Sequence, residues 1–272
     1  MRTLLIRPGA IGDFILSLPA LECLRGGYTE VWCAGPNVPL ARLADRAAPV
    51  AGSGLDWLGI PETEPPPALL DRLRSFDRII SWYGAAQALF RQRVAALGLP
   101  FTFFSALPPE GGVHAADYYL AQARSIQPCS RPPEPRLPVP PVPRERFAVI
   151  HPFASQPRKR WPFVRFQELG RLLEQAGLPV CYCAGPEEPL AGAVRFENLW
   201  DLACWLARAA VFVGNDSGIT HLAAAAGTPA VALFGPTDPR VWAPRGVRVR
   251  VLDRMEERTA AEAAAQALAL TN

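Results

Sequence analysis

The stretch Val211 to Pro239, VFVGNDSGITHLAAAAGTPAVALFGPTDP, concentrates residue types that could do chemistry. An apolar run, Val211 to Val213, breaks at Gly214-Asn215-Asp216-Ser217-Gly218. An Ala-rich helix is expected over Ile219 to Ala226, then a stop at Gly227-Thr228-Pro229 and a second apolar strand, Ala230 to Phe234. A polar loop, Gly235-Pro236-Thr237-Asp238-Pro239, closes the segment. Strand, small-residue turn, helix and strand together set the N–H groups of a helix N-terminus beside a phosphate. Asp216 and Ser217 are good N-cap types, so Asp216 also reads as a cap alone. Two ligand-shaped loops, one after each strand, favour a site. His221 lies one turn into the helix, where it either packs or points toward the same phosphates.

A second candidate loop is His151-Pro152-Phe153-Ala154-Ser155-Gln156-Pro157-Arg158-Lys159-Arg160-Trp161-Pro162. Lys159 is the only lysine of the chain; every other basic side chain is Arg. A compact ammonium on a flexible stem suits a phosphate oxygen or the leaving side of a sugar, against the plain reading of a solvated lysine. A third turn, Arg7-Pro8-Gly9-Ala10-Ile11-Gly12-Asp13, follows the first strand. Gly9 and Gly12 let a ligand approach the backbone. Asp13 reads either as a helix cap and dipole partner or as a carboxylate able to take a proton from a hydroxyl.

The elements that must position these residues form a duplicated layout. The first half reads as a strand Thr3 to Arg7, an amphipathic helix from about Asp13 to Leu24, and a strand Glu30 to Cys33. The second reads as a strand Phe147 to Ile150, a helix from about Phe163 to Gln175, and a strand Pro179 to Cys183. The same tetrapeptide closes both second strands: Cys33-Ala34-Gly35-Pro36 and Cys183-Ala184-Gly185-Pro186. Alternating strands and helices predict parallel sheets covered on both faces, with ligands at the C-terminal strand ends. Between the halves lie Pro128, Pro132, Pro133, Pro135, Pro138, Pro140, Pro141 and Pro143, too many for a helix or a central strand. The expected organisation is an N-terminal domain over 1–127, a stiff linker over 128–146 and a C-terminal domain over 147–272.

Bulk properties exclude several classes. The 272 residues are 50% hydrophobic and 19% charged, which suits a well-cored protein. Net charge is +3, divided as +1 before Arg144 and +2 from there on, so neither half argues for nucleic acid. Six cysteines with no C-x-x-C pair and three histidines make a zinc site a poor reading and buried thiols in a reducing cytoplasm the simple one. Arg7 and Asp13 interrupt the N-terminal apolar run, against a signal peptide. No run approaches the roughly 20 apolar residues of a membrane span. No G-x-G-x-x-G follows a strand, which weakens a dehydrogenase reading.

These motifs resemble those of family 9 glycosyltransferases, the lipopolysaccharide heptosyltransferases. A late D-[ST]-G-x-x-H and G-P-T-D signature is matched by Asp216-Ser217-Gly218-Ile219-Thr220-His221 and Gly235-Pro236-Thr237-Asp238. An opening x-x-G-D before an apolar helix with Pro-Ala-Leu is matched by Ile11-Gly12-Asp13 and Pro19-Ala20-Leu21. A pattern H-P-G-[AT]-[ST]-x(3)-K-x-W-P is met by His151, Pro152, Ala154, Ser155, Lys159, Trp161 and Pro162, with Phe153 in place of a small residue. His114 and Asp117 are similar to the family's H-x-x-[DE]-x-Y stretch and read mainly as helix start and packing. The chain is short for the family, Ala193 to Leu206 looks trimmed, and Phe76 to Gly84 lacks the usual D-[LF]-x-G flavour.

The resemblance implies an α/β GT-B fold, two Rossmann-like domains facing across a cleft, with the acceptor on the N-terminal domain and the donor on the C-terminal one. It implies inverting, metal-independent sugar transfer from a nucleotide sugar, ADP-heptose, with no cofactor. Asp13 would be the base. Gly12, Ser155, Lys159, Asp216, Ser217, Gly218, His221 and Thr237 would hold the donor, and Glu187 or Glu188 its ribose. The implied acceptor is an anionic glycolipid of the lipopolysaccharide core, touched by Arg91 and Arg93. The expected location is cytoplasmic, with peripheral contact to the inner membrane and no nucleic-acid partner. Two rivals stand beside this reading: a non-catalytic nucleotide-sugar-binding protein, and a nucleotide-sugar epimerase, which would need acid and base groups on both faces of one sugar.

Overall fold

The structure is a computed structural model that describes residues 1–271. The chain divides into two compact units. The first comprises residues 1–10, 17–111 and 115–133, the second residues 11–16, 112–114 and 134–271.

In the first unit, β1 (Arg2–Arg7) leads into α1 (Ile11–Cys23), followed by β2 (Tyr28–Cys33), β3 (Arg46–Pro49), α2 (Pro67–Arg74), β4 (Arg78–Ser81), α3 (Ala88–Ala96), β5 (Phe101–Phe103) and α4 (Ala115–Arg124). The strands form one parallel sheet in the order β3-β2-β1-β4-β5. The order reverses at β1, so the crevice of the fold opens at the C-terminal ends of β1 and β4. Helix α1 begins two residues before the expected start. Gly9, with φ 139°, turns the chain out of β1 and lets the helix start at Ile11 behind an extended Ala10. Asp13 therefore sits in the first turn of α1 and is not its cap. The helix is not the amphipathic one expected: every residue from Phe14 to Leu21 is buried, because the helix is apolar around its circumference and is covered on all sides. Leu4, Ile6, Leu55, Leu58, Leu73, Ile79, Phe90 and Val94 form a core on the same sheet.

In the second unit, β6 (Glu145–His151) starts inside the expected linker. It is followed by α5 (Phe163–Gln175), β7 (Val180–Tyr182), α6 (Leu199–Leu206), β8 (Ala209–Asn215), α7 (Gly218–Ala225), β9 (Ala230–Leu233), α8 (Pro239–Trp242), β10 (Val249–Leu252) and α9 (Ala260–Leu270). This sheet is also parallel, in the order β10-β9-β8-β6-β7. Its crevice lies between the C-terminal ends of β6 and β8. Helix α5 buries Phe166, Leu169, Gly170 and Leu173, the i, i+3, i+4, i+7 stripe of a helix on a sheet. A Cβ on Gly170 would stand 2.6 Å from the Tyr182 hydroxyl, which itself donates to the Phe166 carbonyl, so glycine there lets β7 close on the helix. Helix α9 opens with a capping box, Thr259 with Glu262, and buries Ala260, Ala263, Ala264 and Ala267 against the core. Between α4 and β6 the chain forms neither helix nor strand, in keeping with its prolines. No helix among the described residues is long and apolar enough to cross a membrane.

Candidate functional site

The site of the second unit is assembled from the loops that leave β6 and β8. The chain leaves β6 at His151 and passes through Ser155 into a single turn of 3-10 helix, Pro157–Lys159. It leaves β8 at Asn215 and enters α7 through Asp216 and Ser217. Neighbouring strands on either side of the crevice thus deliver a cationic loop and a helix N-terminus to one place. Lys159 Nζ donates to Asp216 Oδ2 at 2.7 Å, and Asp216 is only 7% exposed. Ser217, not Asp216, is the N-cap residue of α7, and its side chain makes no cap bond. The first N–H groups of α7 are therefore left without a side-chain cap, which is the condition that suits an anion.

Asn215 is the residue that joins the two loops, and the sequence reading gave it no role. It is wholly buried. Its Oδ1 accepts from the Trp161 N–H at 2.9 Å and its Nδ2 donates to the Pro152 carbonyl at 2.9 Å. Both contacts bind the β6 loop on either side of Lys159. The only sequence signal was its place immediately before Asp216.

Acid–base groups surround this core. His151 is 3% exposed, and its Nε2 N–H donates to Glu188 Oε2 at 3.1 Å. Glu188 also accepts from the Gly185 N–H at 2.6 Å. Burial opposes the charge on Glu188, yet the bonds from His151 and Gly185 outweigh it and hold its carboxyl below the ordinary range. Of the two acids after Gly185, Glu188 turns inward while Glu187 is exposed. They lie in a turn, not in the first turn of a helix; the next helix is α6. His221, on α7, is pushed down to about 4, chiefly by burial and also by His114 and Lys159, while Asp216 works against the shift. His221 is thus neutral at pH 7. Its neighbour His114 donates from Nε2 to the Ala243 carbonyl at 2.9 Å.

The start of α1 belongs to this unit and packs on the start of α7. A Cβ on Gly12 would lie 3.0 Å from His221 Cδ2, and a Cβ on Gly218 would lie 2.6 Å from the Ile11 Cβ. Both glycines are there for close approach. Asp13 follows in the same turn. Thr237 is half-buried on the separate loop after β9, beside Asp238, which caps α8 by accepting from the Arg240 N–H. Ser155 is exposed on the β6 loop.

In the first unit a cavity of about 420 Å³ opens beyond the ends of β4 and β5, lined by Trp82, Gln87, Arg91, Phe103, Phe104 and Ser105 among others. The Arg91 guanidinium lies 5.9 Å from the Phe103 ring centroid. Arg93 does not line the cavity; its guanidinium donates to the Trp57 carbonyl at 2.9 Å, because it lies two positions further round α3. No site role was legible in the sequence for Arg7, a buried cation at the end of β1 whose guanidinium sits 4.4 Å from the Tyr119 ring centroid.

Solved structures establish the class. The chain is similar to "ADP-heptose lps heptosyltransferase II" of E. coli at TM-score 0.76 and 21% identity, covering 100% of this chain and 98% of that one. An E. coli heptosyltransferase solved with ADP gives TM-score 0.72 and 20% identity, covering 100% of both chains. With the two parallel sheets, these place the fold in the GT-B class. The family model described as glycosyltransferase family 9 (heptosyltransferase) matches residues 117–269, more than half of the chain. The chain belongs to that family. Among curated relatives, lipopolysaccharide heptosyltransferase 3 of Escherichia coli K12 is 30% identical over 117 residues, 37% of this chain. The matched stretch spans 34% of that relative's length.

Proposed function

We propose that this chain transfers a heptosyl group from ADP-heptose to a lipopolysaccharide-core glycan, with inversion and without a metal. The observation that carries the reading is the Lys159–Asp216 pair at the uncapped N-terminus of α7, on the crevice between β6 and β8. On turning from Asp216 to a diphosphate oxygen, the lysine ammonium would join the helix N–H groups in stabilising the charge that the diphosphate of a nucleotide sugar develops as it leaves. Those groups would do the work of a metal. The names of the relatives supply the donor sugar and the acceptor class.

In the proposed reaction Asp13 takes the proton from an acceptor hydroxyl as its oxygen attacks the anomeric carbon. The new carbon–oxygen bond forms on the face opposite the departing ADP, whose bond to that carbon breaks. His221 is neutral and buried, so it would position groups without adding charge. Glu188, braced by His151, is the better supported ribose acceptor; Glu187 faces solvent. The aromatic cavity with Arg91 supports an anionic glycan acceptor on the first unit, stacked on ring faces and paired to one guanidinium. A binding protein without chemistry would share the anion site but would have no use for Asp13.

The test of the donor site is calorimetry with ADP. Lys159→Ala should weaken binding by about 10- to 100-fold, the value of a hydrogen bond to a charged group. Unchanged ADP affinity would remove the proposed role of the lysine.

A further inference from the structure

The first unit holds a feature that the proposed transfer does not use: two cysteines, 106 positions apart in sequence, that are brought to the same end of α1. Cys23 is the last residue of α1 and is buried, while Cys129 lies after α4 and is partly exposed. Gln127 and Arg131, which flank Cys129, are both bonded to the last turn of α1, and this brings Cys129 to Cys23.

The surrounding contacts hold them there. The Cys23 thiol also reaches the Gln127 carbonyl at 3.7 Å, and the Gln127 amide donates back to the Cys23 carbonyl. Arg124 donates to the Cys129 carbonyl at 3.2 Å and to the Arg131 carbonyl at 2.8 Å. Arg131 pairs with Glu22 at 2.5 Å. The residues on both sides of Cys129 are therefore fastened to the end of α1.

We propose that Cys23 and Cys129 are an oxidation site, closed to a disulfide by hydroperoxides and reopened by thiols. The partly exposed Cys129 thiolate attacks the peroxide oxygen, becoming a sulfenic acid as the oxygen–oxygen bond breaks and hydroxide leaves. The Cys23 thiol then attacks that sulfur, the carbon-bound sulfurs join, and water departs. Two thiols are oxidised and one peroxide is reduced to two waters. The asymmetry of the pair fits these roles. Burial pushes the Cys23 thiol up to about 12. Burial opposes ionisation of Cys129 as well, but bonds from Cys23, the Arg131 N–H and Arg124 outweigh it and lower its pKa. The disulfide would tie the first residues of the proline-rich connector to α1.

The experiment is graded oxidation of the full chain with hydrogen peroxide, read by thiol titration and peptide mass mapping. The expected result is loss of two of the six free thiols, one cross-linked peptide pair containing Cys23 and Cys129, and recovery with dithiothreitol. Cys129→Ser should abolish the cross-link, and Cys23→Ser should leave Cys129 as a sulfenic acid that dimedone labels. The inference is overturned if Cys129 reacts no faster than Cys181 or Cys204. It is equally overturned if Cys129 oxidises while Cys23 stays separately alkylatable. The wild-type measurement stands even where a variant fails to fold.

Discussion

At Lys159 the type of cation matters as much as its charge. The ammonium reaches Asp216 from a single turn of 3-10 helix. Lys159→Arg keeps the charge on a wider, planar fork, so its ADP affinity should fall between wild type and Lys159→Ala; affinity equal to wild type would show that only net charge counts there. His221 makes a separate prediction about pH. Its folded pKa of about 4 lies below the unfolded value of about 6.5. The unfolded chain therefore binds a proton that the folded chain refuses. The stabilisation is complete above the unfolded value and is lost progressively as pH falls from there toward the folded one. His221→Gln should be less stable at neutral pH, yet lose less melting temperature than wild type between pH 7 and pH 4. Parallel pH profiles for the two proteins would contradict this assignment.

At the scale of elements, the β6 and β8 loops act as one body because Asn215 holds both. Asn215→Ala leaves the buried Trp161 N–H and Pro152 carbonyl without their partner. The expected cost is about 2–4 kcal/mol, one to two unsatisfied buried groups, measured by urea unfolding. A loss under about 0.5 kcal/mol, the size of an ordinary surface change, would mean the loops are held otherwise. This brace was not legible in the sequence, because its partners lie 54 and 63 positions away and meet only through strand order. Lys159 and Asp216 were legible one at a time, as a solitary lysine and a cap-type acid, but their contact was not. Periodicity gave α5 its full span, since its apolar stripe is regular. It missed the start of α1, because an apolar helix carries no face to mark where it begins and the turn is set by Gly9. The choice between Glu187 and Glu188 depended on the turn after Gly185, which no pattern in those residues specified.

At the scale of the whole molecule, the repeated Cys-Ala-Gly-Pro marked two related units because it ends the second strand of each sheet in the same way. The difference between the units was not visible there. The first sheet adds β3 outside β2, whereas outside β7 the second has only a bridge from Cys183 to Val194. Arg91 and Arg93 looked equivalent in sequence and are separated by the helix they share. If protein charge alone stabilises the leaving diphosphate, transfer should survive EDTA undiminished. Complete loss on chelation, restored by Mg²⁺ or Mn²⁺, would show that a metal carries that charge. Transfer chemistry by Asp13 is tested most directly by two measurements on one variant. ADP-heptose affinity and acceptor-dependent ADP release should be compared in wild type and Asp13→Asn. Wild type should show acceptor-dependent release, and Asp13→Asn should keep its donor affinity with turnover lower by about 10² to 10⁴-fold, the usual size of a lost general base. Tight donor binding by wild type with no acceptor-dependent release, or near-normal turnover in Asp13→Asn, would contradict transfer chemistry by Asp13.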